Sequence, residues 1–383
     1  MNETIYMPVG EVCSSISDTY REKKNMVTLI NTSDVLEGRV LNHERVPNSN
    51  LKGQFKKTFQ RDDILYSEIR PQNRRFAYVD FSPIDYIAST KLMVIRAKKD
   101  VVSPKYLYYF LKNSSTVAEL QLLAETRSGT FPQITFSEVA NLTIPVPPLA
   151  VQEVIVQTMQ CLEDKTICNE QINDNLADLL QTVYQERFGD TSLIANQGIL
   201  SDICSYSRDK VAVSELNVST YFSTENMLSG KAGSTEATSL PTTSQTTACH
   251  KGDTLISNIR PYFKKIVYCE DNCGCSTDVL CFTPSQPRYS AYLFSTLYAD
   301  KFFAFMVAGS KGTKMPRGDK QQIMTYPVVL PSEEELAGFN TIASPLLEQI
   351  YSNSAENKRM SILRDTLLPK LMSGEIDVSA IQL

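Results

Sequence analysis

The sequence lacks the motifs that mark the commonest enzyme classes. It contains no Gly-x-x-x-x-Gly-Lys-Ser/Thr, Gly-x-Gly-x-x-Gly, Gly-x-Ser-x-Gly or Asn/Asp-Pro-Pro-Tyr stretch. These absences argue against P-loop nucleotide hydrolysis, Rossmann-type dinucleotide binding, nucleophile-elbow hydrolysis and amino-methyl transfer. Histidine is also scarce, because His43 and His250 are the only two, which is too few for most metal or triad chemistry. We therefore expect a protein without catalytic activity of its own and without a cofactor.

Long apolar runs and regular cysteine spacings are missing as well. No segment approaches the roughly 18 consecutive apolar residues of a membrane-spanning helix, and Met1–Tyr6 has neither the basic nor the apolar region of a signal peptide. Nine irregularly spaced cysteines favour reduced thiols in a cytoplasm over a disulfide framework. Cys269, Cys273, Cys275 and Cys281 could hold zinc, but their spacing lacks paired Cys-x-x-Cys knuckles. Buried thiols are the favoured interpretation, and no metal site is predicted.

Charge alternates along the chain. The total of −5 divides into +3 for residues 1–150, −6 for 151–190, +2 for 191–331 and −4 for 332–383. A length of 383 residues allows two or three domains, and 42% hydrophobic residues are typical of a globular protein. Two basic blocks alternating with two acidic ones indicate an organisation that occurs twice.

A sequence repeat supports this duplication. The pattern Asp-x-Leu-x-Ser-x-Ile-Arg-Pro occurs at Asp63–Pro71 and again, 190 residues later, at Asp253–Pro261. A Gly-Thr pair followed closely by proline comes next in each half, at residues 128–132 and 311–316. A single repeat at so long an offset is typical of a duplicated domain rather than a solenoid, whose periods run from about 20 to 50 residues.

Each half closes with an apolar, proline-rich stretch, at residues 142–149 and 326–331. Its β-branched residues predict a short edge strand, which the prolines end. A helical pattern follows each stretch, with apolar residues at spacings of three and four that recur after 184 residues. Ser344-Pro345 predicts a break in the second helix, because this pair is typical of a helix start, and Leu363 is expected to cover the turn at Arg364. Residues 228–250, rich in Ser, Thr and Gly, predict a mobile surface loop.

The helical pattern has two interpretations, a coiled-coil seam or two ordinary amphipathic helices with solvated asparagines. The shared offset of polar positions favours the seam, in which such residues fix register and orientation. The predicted helix-pairing residues are Ile155, Met159, Leu162, Asn169, Asn173, Leu176, Val183, Phe339, Leu346, Asn353, Asn357, Met360 and Leu367.

Arg70 and Arg260 end the predicted strands of the repeat, next to prolines that cannot continue a ladder. Each arginine either anchors a neighbouring carbonyl or carboxylate inside the protein, or contacts a phosphate of DNA. Around them the two halves carry different basic residues, which neutralise phosphates or pair with guanine in DNA-binding proteins.

With these features, the chain resembles the specificity subunit of type I restriction-modification systems. The resemblance covers essentially the whole sequence. It is carried by the two Asp-x-Leu-x-Ser-x-Ile-Arg-Pro segments, the Gly-Thr…Pro turns, Ile144-Pro-Val-Pro-Pro148 and the ending Leu367-Leu-Pro-Lys-Leu-Met-Ser-Gly-Glu-Ile-Asp-Val378.

The resemblance implies an α/β fold with two similar target-recognition domains, at residues 1–148 and 191–331. They would be separated by two long antiparallel helices, at residues 149–190 and 332–383 with the C-terminal tail. It further implies that each domain recognises one half of a split, asymmetric site in double-stranded DNA. The helices would set the spacing and dock two DNA methyltransferase subunits, which a restriction/translocase subunit joins. Catalysis, S-adenosylmethionine and ATP would belong to those partners.

The candidate DNA contacts follow from the repeat and from the basic residues around it. They are Lys56, Lys57, Arg70, Arg74, Arg75, Arg127, Thr130, Arg260, Lys264, Lys265, Lys311, Thr313, Lys314 and Arg317. Two other functions remain possible from the sequence. One is a tandem-repeat adaptor that binds proteins and not DNA, and the other is an enzyme with unfamiliar motifs, such as a nuclease.

Overall fold

The computed structural model describes residues 4–49, 53–127, 131–189 and 196–378. The chain forms two compact units. The first unit comprises Met1–Ile167 and Asn357–Leu383, and the second comprises Cys168–Glu356. Among the helices in the described residues, none is both long and apolar enough to cross a membrane.

The first unit contains twelve short strands among its described residues. They are β1 (Ile5–Pro8), β2 (Cys13–Ile16), β3 (Met26–Ile30), β4 (Val35–Leu36), β5 (Arg39–Val40), β6 (Arg45–Pro47), β7 (Phe55–Lys57), β8 (Ile64–Ser67), β9 (Phe76–Tyr78), β10 (Tyr86–Ser89), β11 (Leu92–Ala97) and β12 (Thr143–Val146). Two four-stranded sheets have the orders β2-β11-β8-β9 and β6-β3-β10-β7. Two-stranded sheets pair β1 with β12 and β4 with β5.

In the described part of the first unit, five α-helices begin. They are α1 (Val9–Val12), α2 (Pro104–Lys112), α3 (Ser114–Arg127), α4 (Phe136–Ala140) and α5 (Leu149–Phe188). Local sequence explains their starts. Pro104 occupies the first turn of α2, where its missing N–H has no helical partner to lose. A capping box between Thr135 and Glu138 begins α4.

The second unit repeats part of this arrangement of strands. Its strands are β13 (Gln197–Ile199), β14 (Cys204–Tyr206), β15 (Lys210–Ala212), β16 (Tyr221–Phe222), β17 (Gln245–Cys249), β18 (Thr254–Ser257), β19 (Ile266–Tyr268), β20 (Cys273–Cys275), β21 (Val279–Pro284) and β22 (Pro327–Val329). The order β14-β21-β18-β19 matches β2-β11-β8-β9, and the pair β13-β22 matches β1-β12. The predicted internal duplication and the predicted short strands at both proline-rich stretches are therefore confirmed.

The helices of the second unit also follow the first. They are α6 (Leu200–Ile203), α7 (Ser290–Tyr298), α8 (Asp300–Ala308), α9 (Lys320–Ile323) and α10 (Glu333–Ser373). A capping box opens α10, since the backbone N–H of Ser332 donates to Glu335 Oε2 (2.8 Å) and that of Glu335 donates to Ser332 Oγ (3.3 Å).

The repeated motif forms the central strands β8 and β18, whose residues are buried on both faces. Ile64 and Tyr66 lie in one hydrophobic cluster of the first unit, whereas Leu65 lies in another. In the second unit Ile256 lies in one hydrophobic cluster and Leu255 lies in another. A strand with a core on each side has its register fixed, because a one-residue slip would exchange the two faces.

The aspartate of the motif closes the turn before each strand. Asp63 Oδ2 accepts from the backbone N–H of Gln60 (2.8 Å), and Asp253 Oδ2 accepts from that of His250 (2.8 Å). Asp63 also forms a two-point ion pair with Arg96, at 2.7 and 2.8 Å. Asp253 instead accepts from the Cys281 thiol (3.2 Å), and burial raises the pKa of its carboxyl group.

The two long helices contribute to both units. In the first unit, Ile155 and Met159 of α5 share a core with Leu368 and Met372 of α10, while the carbonyl of Thr166 accepts from Asn357 Nδ2 (3.3 Å). Because the residue numbers rise along one helix as they fall along the other, the two segments are antiparallel. Leu162 and Leu367 pack against the same core.

In the second unit the same two helices pair through polar groups and then through aromatic rings. Asn169 Nδ2 donates to Glu356 Oε2 (2.7 Å), and Asn353 Nδ2 donates to Asn173 Oδ1 (2.8 Å). The core beyond them contains Phe339, with Val183 and Leu346 packed against it. Leu176 and Met360 are half-buried. The predicted antiparallel pairing is present in each unit, and the detailed coiled-coil form of packing stays a prediction.

Two predictions about α10 were wrong. The helix continues through Ser344-Pro345 without a break. Proline removes one helical hydrogen bond there, but Phe339, Ala343 and Leu347 keep one face buried across the site, and this packing outweighs the local signal. Leu363 is 43% exposed and does not cover its turn.

The prediction of a loop over residues 228–250 was wrong at its end. Gln245–Cys249 forms strand β17, which pairs with β15 and β20 inside a sheet. Thr246 is buried there, and its hydroxyl group donates to the carbonyl of Cys275 (2.5 Å). Threonine favours strands because its branched side chain packs well on a pleated surface.

Candidate nucleic-acid interface

A single turn of 3₁₀ helix follows each buried central strand and begins with the proline of the repeat. These turns are Pro71–Asn73 after β8 and Pro261–Phe263 after β18. The strands end at Ser67 and Ser257, three residues before the arginines that were predicted to end them. The residue before and the residue after each turn have a left-handed backbone. The four residues are Arg70 (φ 44°), Arg74 (φ 51°), Arg260 (φ 51°) and Lys264 (φ 51°). A non-glycine residue in this region costs on the order of 1 kcal/mol, and such strain clusters at functional sites.

The proline that closes each Gly-Thr…Pro segment lies against its turn. The backbone N–H of Arg70 donates to the carbonyl of Pro132 (3.1 Å), and that of Arg260 donates to the carbonyl of Pro316 (2.8 Å). Ile69 forms a β-bridge with Gln133. The two motifs that recur in the sequence are thus neighbours in space in both units. We call residues 70–75 with 131–133 the first turn–loop surface, and residues 260–265 with 311–317 the second.

Basic side chains of the first turn–loop surface differ in how firmly they are held. The exposed Arg70 guanidinium lies 5.9 Å from the ring centroid of Phe131, itself 48% exposed. Arg74 Nη2 donates to Ser114 Oγ (2.9 Å). Arg75 Nη1 donates to the carbonyl of Ser33 (3.0 Å) and supports the turn from within.

Carboxylates hold several cations of the second turn–loop surface. Lys264 Nζ lies 2.9 Å from Asp300 Oδ1, and Arg317 Nη1 lies 3.0 Å from Asp278 Oδ1. Lys311 Nζ pairs with Asp319 at 2.5 Å, and this hydrogen bond lowers the pKa of the Asp319 carboxyl group. Such exposed pairs are worth little and can exchange partners with a phosphate.

Other predicted contacts on the second surface differ in exposure. Lys314 and Thr313 are exposed, and the carbonyl of Lys314 accepts from Arg260 Nη2 (3.5 Å). Lys265 Nζ donates to the carbonyl of Thr224 (2.6 Å), and burial lowers the pKa of this amine. Lys265 therefore has a structural partner inside the unit, whereas Lys314 presents its amine to solvent.

The remaining predicted contacts lie away from the turns or have partners of their own. Lys57 Nζ donates to the carbonyl of Leu92 (2.8 Å), and burial lowers its pKa. Arg127 pairs with Glu138 at 2.5 Å, while Lys56 is exposed. Thr130 lies outside the described residues. Contact of any of these residues with DNA stays a prediction.

The sequence analysis missed the residues at the apex of each turn. They are Gln72 and Asn73 in the first unit and Tyr262 and Phe263 in the second, and all four are exposed. No repeat could mark them, because they differ between the halves. Only their position in the sequence could have indicated them, since each pair lies between the proline of the repeat and the second left-handed basic residue.

The cysteines at residues 269–281 lie in a hydrophobic cluster of the second unit. Cys249, Cys269, Cys273, Cys275 and Cys281 are all buried there. The Sγ atoms of Cys269 and Cys273 are 3.6 Å apart. Over the part of the chain that the structure describes, no group of three or more His, Cys, Asp or Glu side chains is arranged to hold a metal ion. These thiols contribute to the core as small apolar groups.

Comparison with known sequences finds similarity over the first half of the chain. Residues 6–177 match the family described as the type I restriction modification DNA specificity domain. The type I restriction enzyme HindI specificity subunit of Haemophilus influenzae is 39% identical over 187 residues, which are 49% of this chain and 41% of that protein. The MjaIX specificity subunit of Methanocaldococcus jannaschii is 33% identical over 73 residues, which are 19% of this chain and 17% of that protein. The match thus spans less than half the length of these curated relatives.

Comparison with solved structures extends to nearly the whole chain. One similar chain comes from work on complex assembly and conformational transition of the type I R-M system. The match covers 97% of this chain and 98% of that chain, with a TM-score of 0.51 and 16% identity. For the type I restriction-modification S subunit from M. genitalium, the match covers 97% of this chain and 96% of that subunit, with a TM-score of 0.54 and 16% identity. At this identity the likeness shows the fold alone. It confirms the predicted class, with two similar α/β units and two long helices.

The left-handed backbone at Lys264 predicts an unusual order of stability. Alanine is ordinarily more stabilising than glycine by roughly 0.5–1 kcal/mol, but only glycine adopts this conformation without strain. We expect Lys264→Gly to have a free energy of unfolding about 1 kcal/mol higher than Lys264→Ala, measured by urea denaturation. Both variants lose the same amine, so the difference isolates the backbone.

Lys265 provides the matched control, because it follows Lys264 directly and is not among the residues with positive φ. Lys265→Ala should be more stable than Lys265→Gly. An alanine variant at position 264 as stable as the glycine variant would contradict the strained turn.

Proposed function

Because residues 6–177 match the family described as the type I restriction modification DNA specificity domain, we propose that this chain is the DNA sequence-recognition subunit of a type I restriction-modification complex. In this proposal each unit binds one part of a bipartite, asymmetric site in double-stranded DNA. The observation that carries it is the turn–loop surface, which the chain builds twice with the same backbone geometry and with exposed basic side chains.

The chemistry of the two surfaces suits DNA. Exposed cations such as Arg70 and Lys314 can neutralise phosphates, and exposed apex residues can reach base edges. Since the backbone is shared but the apex residues differ, the two units should recognise different half-sites. A modest overall charge does not oppose this, because partner subunits can supply much of the nonspecific grip on DNA.

The proposed partners are two DNA methyltransferase subunits and a restriction/translocase subunit. The acidic helical segments, with net charges of −6 at residues 151–190 and −4 at residues 332–383, would form the docking surface for the methyltransferases. Catalysis would reside in those partners, and the chain itself would need no cofactor. The cytoplasm is where it would meet DNA and these subunits.

We also propose that the long helices set the spacing between the half-sites. Helix α5 has 40 residues and α10 has 41, so each is about 60 Å long at roughly 1.5 Å per residue. Asparagine contacts such as Asn173–Asn353 fix the register of the pair, and a spacer of fixed length needs a fixed register.

The main alternative is an adaptor that binds proteins and not DNA, and the comparisons give it no support. Substituting Lys264 or Lys265 would test it poorly, because both amines have partners within the unit. Lys314 is the better choice, since it is exposed.

Lys314→Glu should weaken binding of the full chain to duplex DNA by several-fold. It should also reduce the slope of log affinity against log salt by about one, because one phosphate contact is lost. Fluorescence anisotropy over a salt series measures both. Lys210→Glu is the charge-matched control, as Lys210 is exposed on β15 of the same unit and is not part of the second turn–loop surface. If the chain is an adaptor, the two variants should bind DNA with the same affinity and the same salt dependence. That result would contradict DNA recognition at this surface.

The spacing proposal predicts a change in the recognised site. Removing two helical turns (about seven residues) from α5 between Gln157 and Glu186, together with the facing turns of α10, shortens the pair by about 10 Å. At about 3.4 Å per base pair, the gap between half-sites should shrink by roughly three base pairs. Mapping methylated motifs in cells that carry the variant gives the gap directly. An unchanged gap between two intact half-sites would rule out the helices as the spacer.

A further inference from the structure

We infer that the two units recognise A·T base pairs by opposite chemistry at the apex of their turns. In the first unit Gln72 and Asn73 bind the edge of an adenine through hydrogen bonds. In the second unit Tyr262 and Phe263 contact the methyl group of a thymine. This assignment of specificity-determining residues rests on the proposed function and deepens it.

The apex residues occupy equivalent places on a held backbone. Each pair follows the proline of the repeat and precedes the second left-handed basic residue. The backbone N–H of Asn73 donates to the carbonyl of Arg70 (2.9 Å), and that of Phe263 donates to the carbonyl of Arg260 (2.9 Å). The backbone N–H of Gln72 also donates to Gln121 Oε1 (3.2 Å). A preorganised turn presents its side chains without a large entropy cost on binding.

The first apex has the chemistry of adenine recognition. Gln72 and Asn73 are exposed amides, and each amide offers a donor and an acceptor side by side. Adenine presents N6–H and N7 side by side in the major groove, where a glutamine or asparagine amide can pair with both atoms. The guanidinium of Arg70 next to them is exposed beside the Phe131 ring and can approach the phosphates.

The second apex has no such amides and exposes apolar surface instead. Tyr262 is 49% exposed and Phe263 is 39% exposed, with ring centroids 4.7 Å apart. Met315 of the facing loop adds a third apolar side chain that is 50% exposed. These three side chains expose apolar surface that a bound ligand can cover.

The charges around this patch indicate that DNA covers it. Arg260, Lys264, Lys311, Lys314 and Arg317 all belong to the second turn–loop surface. Asp278, Asp300 and Asp319 pair with three of these cations and leave the rim positive. An apolar centre with a cationic rim fits the major groove at a thymine, where the methyl group is the apolar contact and phosphates flank it.

The test uses base analogues that remove one group at a time. The half-sites are first read from the motif whose methylation requires this gene, and the full chain is then bound to duplexes carrying that motif. Deoxyuridine in place of thymidine deletes the methyl group, and 7-deazaadenine deletes the N7 acceptor. For the wild type, each analogue in its own half-site should lower affinity roughly tenfold at a contacted position.

The decisive comparison is between variants. Tyr262→Ala/Phe263→Ala should bind natural DNA more weakly and become insensitive to deoxyuridine in the second half-site, while keeping its sensitivity to 7-deazaadenine in the first. Gln72→Ala/Asn73→Ala should show the reverse. Val218→Ala, at an exposed apolar residue elsewhere in the second unit, should respond to both analogues as the wild type does.

Two kinds of failure can be told apart. Apex variants that keep the full sensitivity of the wild type to both analogues would overturn the assignment of these residues and leave DNA recognition standing. A second half-site without any A·T pair would overturn it as well. A wild-type chain that governs no methylated motif would instead overturn the proposed function and this inference with it.

Discussion

Both turn–loop surfaces depend on one backbone constraint, the arginine–proline step that comes three residues after a strand buried on both faces. A core on each side fixes the strand, and proline, which has no N–H to continue a ladder, begins the turn. The turn places Arg70 and Arg260 in a left-handed conformation, and their N–H groups bond to the facing loop at Pro132 and Pro316. A rigid strand therefore determines where a strained, solvent-facing turn lies. Such preorganisation suits recognition, since little order remains to be gained on binding.

The two units share this backbone geometry, but different side chains stabilise it in each. Asp63 closes its turn with the help of the Arg96 guanidinium, whereas Asp253 relies on the Cys281 thiol and has a raised pKa because of burial. A raised pKa means that the folded second unit holds this proton more tightly than the unfolded chain does. Its stabilising contribution is complete below the unfolded-state pKa and is lost as the pH rises through the folded-state pKa. At neutral pH the raised pKa of Asp253 therefore lowers the stability of the second unit.

Much of the fold could be predicted from local chemistry. The repeated motif, the proline stops and the three–four spacing indicated the central strands, the short edge strands and the paired helices. Predictions failed where packing outweighed a local preference. Pro345 did not break α10, because the buried residues Phe339, Ala343 and Leu347 hold the helix on both sides of it. The strand Gln245–Cys249 was hidden in a segment rich in Ser and Thr, and only its pairing partners on either side identify it.

The candidate site was predicted only in part for a different reason. A repeat marks what two halves share, which here is the supporting frame of strand, proline and basic residue. The apex residues are Gln72 and Asn73 in one half and Tyr262 and Phe263 in the other. This difference is expected for two units that bind different bases. Lys57, Lys265 and Arg75 carried the right charge, but their bonds to backbone carbonyls depend on neighbours that are distant in sequence.

We propose that this chain selects the DNA sequence on which partner enzymes act. A genome-wide map of methylated bases, made in source cells with and without the gene, tests this role. One split, asymmetric motif should lose its methylation when the gene is removed, while all other motifs keep theirs. A set of methylated motifs that is unchanged by removal of the gene would contradict it.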